Sequence, residues 1–277
     1  DSLSRFDIQA DLPNMKKSDE YCWLKEVNSL SLQASLANLD SAYTKFFREH
    51  KGFPNFKSKK DSKQSFSIPQ NTKVDFENGR IFIPKFKSGI KAILHRTFDG
   101  IVKTSTITRT STGKYFISIL VEVDEPDVSM KPICENKAVG IDLGIKTFAV
   151  LSDGTEISNP KHLKQSLDKV KKLQRSLLHK TKGSKNRDKA RRKLALAHEQ
   201  VTNRRNDFLH KVTSYLVNNY DTICLEDLNV KGMIKNHHLA QSLSDIAIGT
   251  FNTLLEYKAK ERGVNILRIG RFEPSSK

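Results

Sequence analysis

Apolar residues follow three regimes along the chain. From residue 21 to about residue 50 they recur at helical spacing, with Leu32, Leu36, Leu39, Tyr43 and the pair Phe46-Phe47 on one face, which predicts an amphipathic helix of about five turns. Between Phe66 and Val123 the period shortens to two. Short β segments are predicted over 80–84, 90–94, 101–110 and 114–123, with turns at Asn78-Gly79, Asp99-Gly100 and Thr112-Gly113, together a small antiparallel barrel or sheet. Glu125-Pro126-Asp127 through Pro132 then makes a linker.

The third regime mixes both periods. Residues 138–151 form a strand hairpin closed by the turn Asp153-Gly154. A helical stretch follows, broken at Thr181-Lys182-Gly183-Ser184, whose second helix has Leu194, Ala197, Val201, Phe208/Leu209, Val212 and Leu216 on one face. After it come a short apolar run from Tyr220 to Leu228, a loop over 229–238, a helix around 244–262 and a last strand over 264–269. Hairpin strands, helices, strand, helix, strand is an order that suits an RNase H-like α/β domain.

Two acids stand out against these strands. Asp142 interrupts the apolar hairpin, where an ionised carboxylate is costly unless it is paired or bound to metal. Glu226 ends the later strand, and ligands gather at the carboxyl ends of strands in open α/β sheets. Two carboxylates on neighbouring strand ends make a site for hard divalent cations.

Charge narrows the partner. The chain has 277 residues, a net charge of +17 and a pI of about 9.7, which points to a polyanion, most simply nucleic acid, ahead of an anionic membrane surface. Residues 161–211 hold seventeen Lys or Arg against four Asp or Glu, and residues 136–277 hold twenty-seven against fourteen. Both surpluses are thirteen, so the charge of this half sits in one basic helical hairpin, 160–218. Its one-signed face is unlike the mixed faces of solvated helices. Lys182, Lys185, Arg187, Arg191, Arg192, Arg204 and Arg205 are its candidate phosphate contacts. Upstream, Lys45, Arg48, Lys57, Lys59 and Lys60 alternate with Phe46, Phe47, Phe53 and Phe56. The cations are read as phosphate contacts, while the aromatics either pack the loop or stack on bases.

No run of eighteen apolar residues exists, so no transmembrane helix is predicted, and the first thirty residues lack a signal core. Cys22, Cys134 and Cys224 are widely spaced, which suggests a reducing compartment and no zinc site among these residues. The adjacent His237-His238 do not face one site on a helix and are read as polar or nucleic-acid-facing residues.

Several strings, in fixed order, resemble one family. Gly140-Ile141-Asp142-Leu143-Gly144-Ile145, Asp207-Phe208-Leu209-His210-Lys211, Leu225-Glu226-Asp227-Leu228 with Met233, and Phe272-Glu273-Pro274-Ser275-Ser276-Lys277 are similar to the TnpB (OrfB) proteins of insertion sequences, RNA-guided DNA endonucleases related to type V CRISPR effectors. The likeness extends upstream through Trp23-Leu24-Lys25-Glu26-Val27 and Gly52-Phe53-Pro54. It implies a helical recognition segment over 1–60, a β-rich wedge domain over 61–134, and a RuvC nuclease domain of RNase H type over 135–277. It implies that Asp142 and Glu226 are catalytic ligands of Mg²⁺ or Mn²⁺, and that Gln33 reads a short DNA motif. Guide RNA and a double-stranded DNA target are the implied partners, with sequence read by guide pairing, with no membrane involved, and a transposase as a functional associate. The expected location is the nucleoid-containing cytoplasm. The family also places a wedge strand before the first residue here, and a four-cysteine zinc ribbon and third RuvC Asp after Lys277. The chain is therefore expected to be a central portion of a longer protein, with two of three catalytic acids and with zinc only in the later ribbon. Two alternatives are a nuclease-inactive, RNA-guided repressor on the same fold and, more remotely, an actin-like ATPase suggested by Asp142-x-Gly144 with Asp153-Gly154.

Overall fold

A computed structural model describes residues 4–58, 64–124, 128–228 and 247–270. The chain divides into two compact units, Asp1–Glu125 and Pro126–Lys277. The division falls in the Pro-containing stretch read as a linker.

The first unit opens with helices α1 (Arg5–Met15) and α2 (Ser29–Glu49). The Ser4 side chain caps α1 by accepting from the Asp7 amide, and the Asp7 carboxylate accepts from the Ser4 amide at 2.8 Å, a reciprocal capping box. No apolar stripe announces α1 in the sequence, and Leu12 is its buried residue. The start of the second helix corrects the reading from residue 21: Cys22–Glu26 is a 3₁₀ turn, and α2 begins behind Asn28, whose side chain accepts from the Leu30 amide. That cap stops the helix from extending backwards.

Six strands follow: β1 (Gln64–Ile68), β2 (Lys73–Asp75), β3 (Arg80–Ile83), β4 (Phe86–Lys91), β5 (Ile101–Arg109) and β6 (Tyr115–Glu122). They make two antiparallel sheets, β1-β5-β6 and β2-β3-β4, not one. Asp99-Gly100 passes between sheets and does not close a hairpin. Both sheets feed one small core, in which buried Ile68, Ile81 and Ile83 pack with Ile107, Ile117 and Ile119.

The second unit contains β7 (Ala138–Leu143), β8 (Thr147–Leu151), β9 (Glu156–Ser158), α3 (His162–Leu178), α4 (Lys185–Asn219), β10 (Thr222–Glu226), α5 (Ile248–Arg262) and β11 (Asn265–Ile269). Its five strands form a mixed sheet in the order β11-β10-β7-β8-β9. The first three in sequence are an antiparallel meander, while β10 lies parallel to both β7 and β11. Parallel neighbours need crossovers, and α3 with α4 and then α5 lie between them in sequence. Phe148, Leu209, Leu216, Ile223, Phe251 and Leu255 are each at most 1% exposed, and burying each contributes about 1.5–3 kcal/mol. Phe148 meets Phe208 and Phe251 edge to face at centroid distances of 5.0 and 5.4 Å, which ties β8 to α4 and α5.

Candidate active site and nucleic-acid interface

Alternation along β7 and β10 sorts their side chains between two faces. The register pairs Val139 with Ile223 and Ile141 with Leu225, all at most 4% exposed and all in the core with α4 and α5 residues. The intervening positions therefore belong to the opposite face. Gly140 pairs there with Cys224, and Asp142 and Glu226, each two residues further along its strand, follow on that face just past the last pair, Ile141 with Leu225. Both lie at carboxyl ends of adjacent strands, Asp142 exposed and Glu226 half-buried as the last residue of β10.

The expectation that Asp142 sits enclosed within apolar strands is corrected here. Its cross-strand partner Val150 is itself 39% exposed, and buried Ile141 faces the other way. What distinguishes Asp142 is that the neighbouring strand ends in a second acid, Glu226, on the same face. A pair of carboxylates is a donor set that fits a hard divalent ion. Among the described residues no three His, Cys, Asp or Glu gather as a metal cluster.

The turn leaving this strand end is tightly specified. The Gly144 amide donates to the Phe148 carbonyl at 3.1 Å, and the Asn159 side chain donates to the Ile145 carbonyl at 2.8 Å. A Cβ at Gly144 would come within 2.8 Å of the Thr147 carbonyl oxygen, so only glycine closes this turn without displacing backbone. Asn159 escaped the sequence reading, although Asn159-Pro160 is a recognisable turn dipeptide.

The opposite end of the sheet is braced by charge. Asp221 accepts from Lys131 at 2.7 Å and lies 3.4 Å from Lys137. The hydrogen bond from Lys131 and the two positive charges hold its carboxyl below the usual range. Nearby, the Tyr220 hydroxyl donates to Asp153, which lowers the Asp153 pKa, while partial burial and that carboxylate raise the Tyr220 phenol.

The basic hairpin consists of α3 and α4, with Ser184 capping α4 by accepting from the Arg187 amide at 3.2 Å. Lys182, Lys185, Arg191, Arg192 and Arg204 are exposed. Arg191 pairs with Asp188 at 3.0 Å. Arg187 is half-buried, and its guanidinium donates to the carbonyls of Leu177 and Lys180 at 3.1 and 2.8 Å. It caps the end of α3, a structural task that its place in a charge run conceals. Arg205 is also half-buried and lines a small pocket with Phe148, His162 and Phe208.

In the first unit Lys45, Arg48 and Lys57 are exposed and Gln33 is half-buried in the second turn of α2. Lys59, Lys60, His237, His238, Met233 and 272–277 lie outside the described residues.

The model of the OrfB_IS605 family, described as "Probable transposase", matches residues 118–237. A "Putative RNA-guided DNA endonuclease" of Streptomyces pristinaespiralis is 37% identical over 277 residues, covering 99% of this chain and 68% of that protein. "Putative RNA-guided DNA endonuclease InsQ" of Escherichia coli (strain K12) is 39% identical over 225 residues, covering 81% and 54%. The chain thus spans between about half and two thirds of these relatives' lengths. Among solved structures, a chain of the Cas12f1-sgRNA-target DNA complex determined by cryo-EM aligns with a TM-score of 0.50 at 15% identity, over 94% of this chain and 66% of that one. That likeness is one of fold, a mixed α/β architecture.

Proposed function

From the premise that the chain belongs to the OrfB/TnpB family, we propose that it is the central part of an RNA-guided DNA endonuclease whose RuvC-type site includes Asp142 and Glu226. The observation that carries this reading is the β7–β10 register, whose continuation past Ile141–Leu225 supports a position for the two acids on the sheet face away from the core. The strand order, a three-stranded antiparallel meander continued by two parallel strands, supports an RNase H-like assignment for the second unit. The two small sheets of the first unit are read as the wedge, and α2 as the recognition helix that presents Gln33 to the DNA motif.

In this mechanism Asp142 and Glu226 would hold Mg²⁺ or Mn²⁺. A divalent ion bound there would supply activation of a water and charge stabilisation at the leaving 3′ oxygen. The protein's own part is to fix the two carboxylates through the strand register, and to fix the turn beyond Asp142 through Gly144 and Asn159. Exposed cations of the hairpin and of the α2 segment neutralise phosphates of guide RNA and target DNA. The printed names of the relatives above, and the sgRNA and target DNA of the Cas12f1 complex, support these partners. Asp142→Asn and Glu226→Gln, each in the complete protein with its guide, are expected to abolish metal-dependent DNA cleavage while guide-RNA affinity stays at the wild-type value. Wild-type cleavage by either variant would overturn the assignment.

A further inference from the structure

The aromatic residues at the end of α2 fall into two groups. Tyr43, Phe46, Phe47 and Phe53 form one interlocked set: Tyr43 meets Phe47 at 6.3 Å and Phe53 at 5.8 Å, and Phe46 meets Phe47 at 5.0 Å and Phe53 at 5.3 Å. This set folds the segment after His50, a left-handed cap residue, back onto the helix. Phe56 lies just beyond, with its ring wholly open to solvent at 103% relative exposure. Phe47 and Phe53, within the set, are themselves 68% and 60% exposed.

A lone exposed phenylalanine needs no explanation. This one has a specific setting. Residues 45–58 carry Lys45, Arg48, Lys51 and Lys57 against Glu49 alone, and all five side chains are exposed. Glu49 is paired with Lys51 at 2.7 Å. An apolar protein partner would have to desolvate this ring of cations. A single-stranded nucleic acid instead offers phosphates to the cations and an aromatic face to the phenyl ring.

We infer that Phe56 is a stacking platform for an unpaired base, carried on the segment that the aromatic set folds back onto α2, while Lys45, Arg48 and Lys57 take the flanking phosphates. The occupant is an unpaired stretch of RNA or DNA. The inference rests on the nucleic-acid-binding part of the proposed function and is independent of the carboxylate site.

The test is carried out with the whole chain in EDTA, so that cleavage plays no part. A fluorescent single-stranded oligonucleotide is compared with the same strand bearing abasic positions. Wild type is expected to prefer the base-bearing strand by about tenfold, within the range of one stacked base. Phe56→Ala is expected to lose that preference, Phe56→Leu to lose it although it stays apolar, and Phe56→Trp to keep it, all with unchanged salt slopes. Equal preference in wild type and Phe56→Ala would overturn the inference while leaving phosphate binding standing. Binding that is also insensitive to Lys45→Gln, Arg48→Gln and Lys57→Gln would remove the nucleic-acid reading of this segment itself. A change from dimer to monomer in Phe56→Ala, with strand binding intact, would make the surface a self-association face and overturn the inference.

Discussion

Asp221 shows how a single carboxylate is tuned away from the proposed chemistry. It precedes β10, held by Lys131 at 2.7 Å and Lys137 at 3.4 Å, and its backbone joins neighbouring segments through the Lys137 carbonyl and the Asn265 amide, each at 2.9 Å. Because its folded-state pKa lies below the unfolded value, its stabilisation is complete above about pH 3.9, the ordinary Asp value, and disappears as pH falls through the lower folded-state pKa. Asp221→Asn retains the shape and one acceptor but not the charge. Its melting temperature is therefore expected below that of wild type at pH 7, with the two curves converging below about pH 4. A gap that stays constant down to pH 3 would show that the lost charge is not the cause. The sequence marks Asp142 and Glu226 by their strand context, yet gives no sign of Asp221's role. Lys131 is ninety residues away along the chain, and the two meet through the parallel placement of β10 beside β7 and the hydrogen bonds that hold Lys131 to Gly263 and Asn265.

At the scale of elements, legibility follows the range of the interactions that make each one. The β7–β8 hairpin and both helices of the basic hairpin are local, set by period, Gly-containing turns and the Ser184 cap, and the sequence places them within a few residues. The division of the β segments into two sheets depends on β1 pairing with β5, with Ser67 opposite Thr106, a pairing that turn residues do not specify. Helix α1 owes its start to a capping box and has no amphipathic stripe, so periodicity does not reveal it. Arg187 shows the same limit for charge, because a sequence gives its sign but not that the carbonyls of Leu177, in the last turn of α3, and of Lys180, just beyond it, lie within its reach. Positively charged side chains near a helix carboxyl terminus stabilise it. Arg187→Ala is expected to remove about 1 kcal/mol from the α3–α4 junction, seen as roughly fivefold faster hydrogen exchange at the end of α3. Nucleic-acid affinity should change less than in Lys185→Ala, since Lys185 is exposed whereas the Arg187 guanidinium is engaged by the protein. The opposite ranking would return Arg187 to the list of phosphate contacts.

For the whole molecule the governing quantity is the net charge of +17, concentrated as a surplus of thirteen within 161–211. Composition alone predicts a polyanionic partner but not which cations meet it. The structure leaves Lys182, Lys185, Arg191 and Arg192 exposed at the turn and the first turns of α4. If about six phosphates are neutralised in the complex, the logarithm of affinity falls with the logarithm of salt concentration at a slope of about −5. Replacing those four residues with Gln removes up to four contacts and should shallow the slope by about 3 to 4 on duplex nucleic acid. Fluorescence anisotropy titrations at several salt concentrations measure this directly. Stability should change little, because exposed side chains contribute little to the core and the ion pair of Arg191 with Asp188 is itself exposed. An unchanged slope would move the binding surface elsewhere in the chain. A shallower slope with intact folding would locate it on the hairpin, on side chains separate from the carboxylates proposed to cut, so that holding the nucleic acid and cleaving it can be disabled independently.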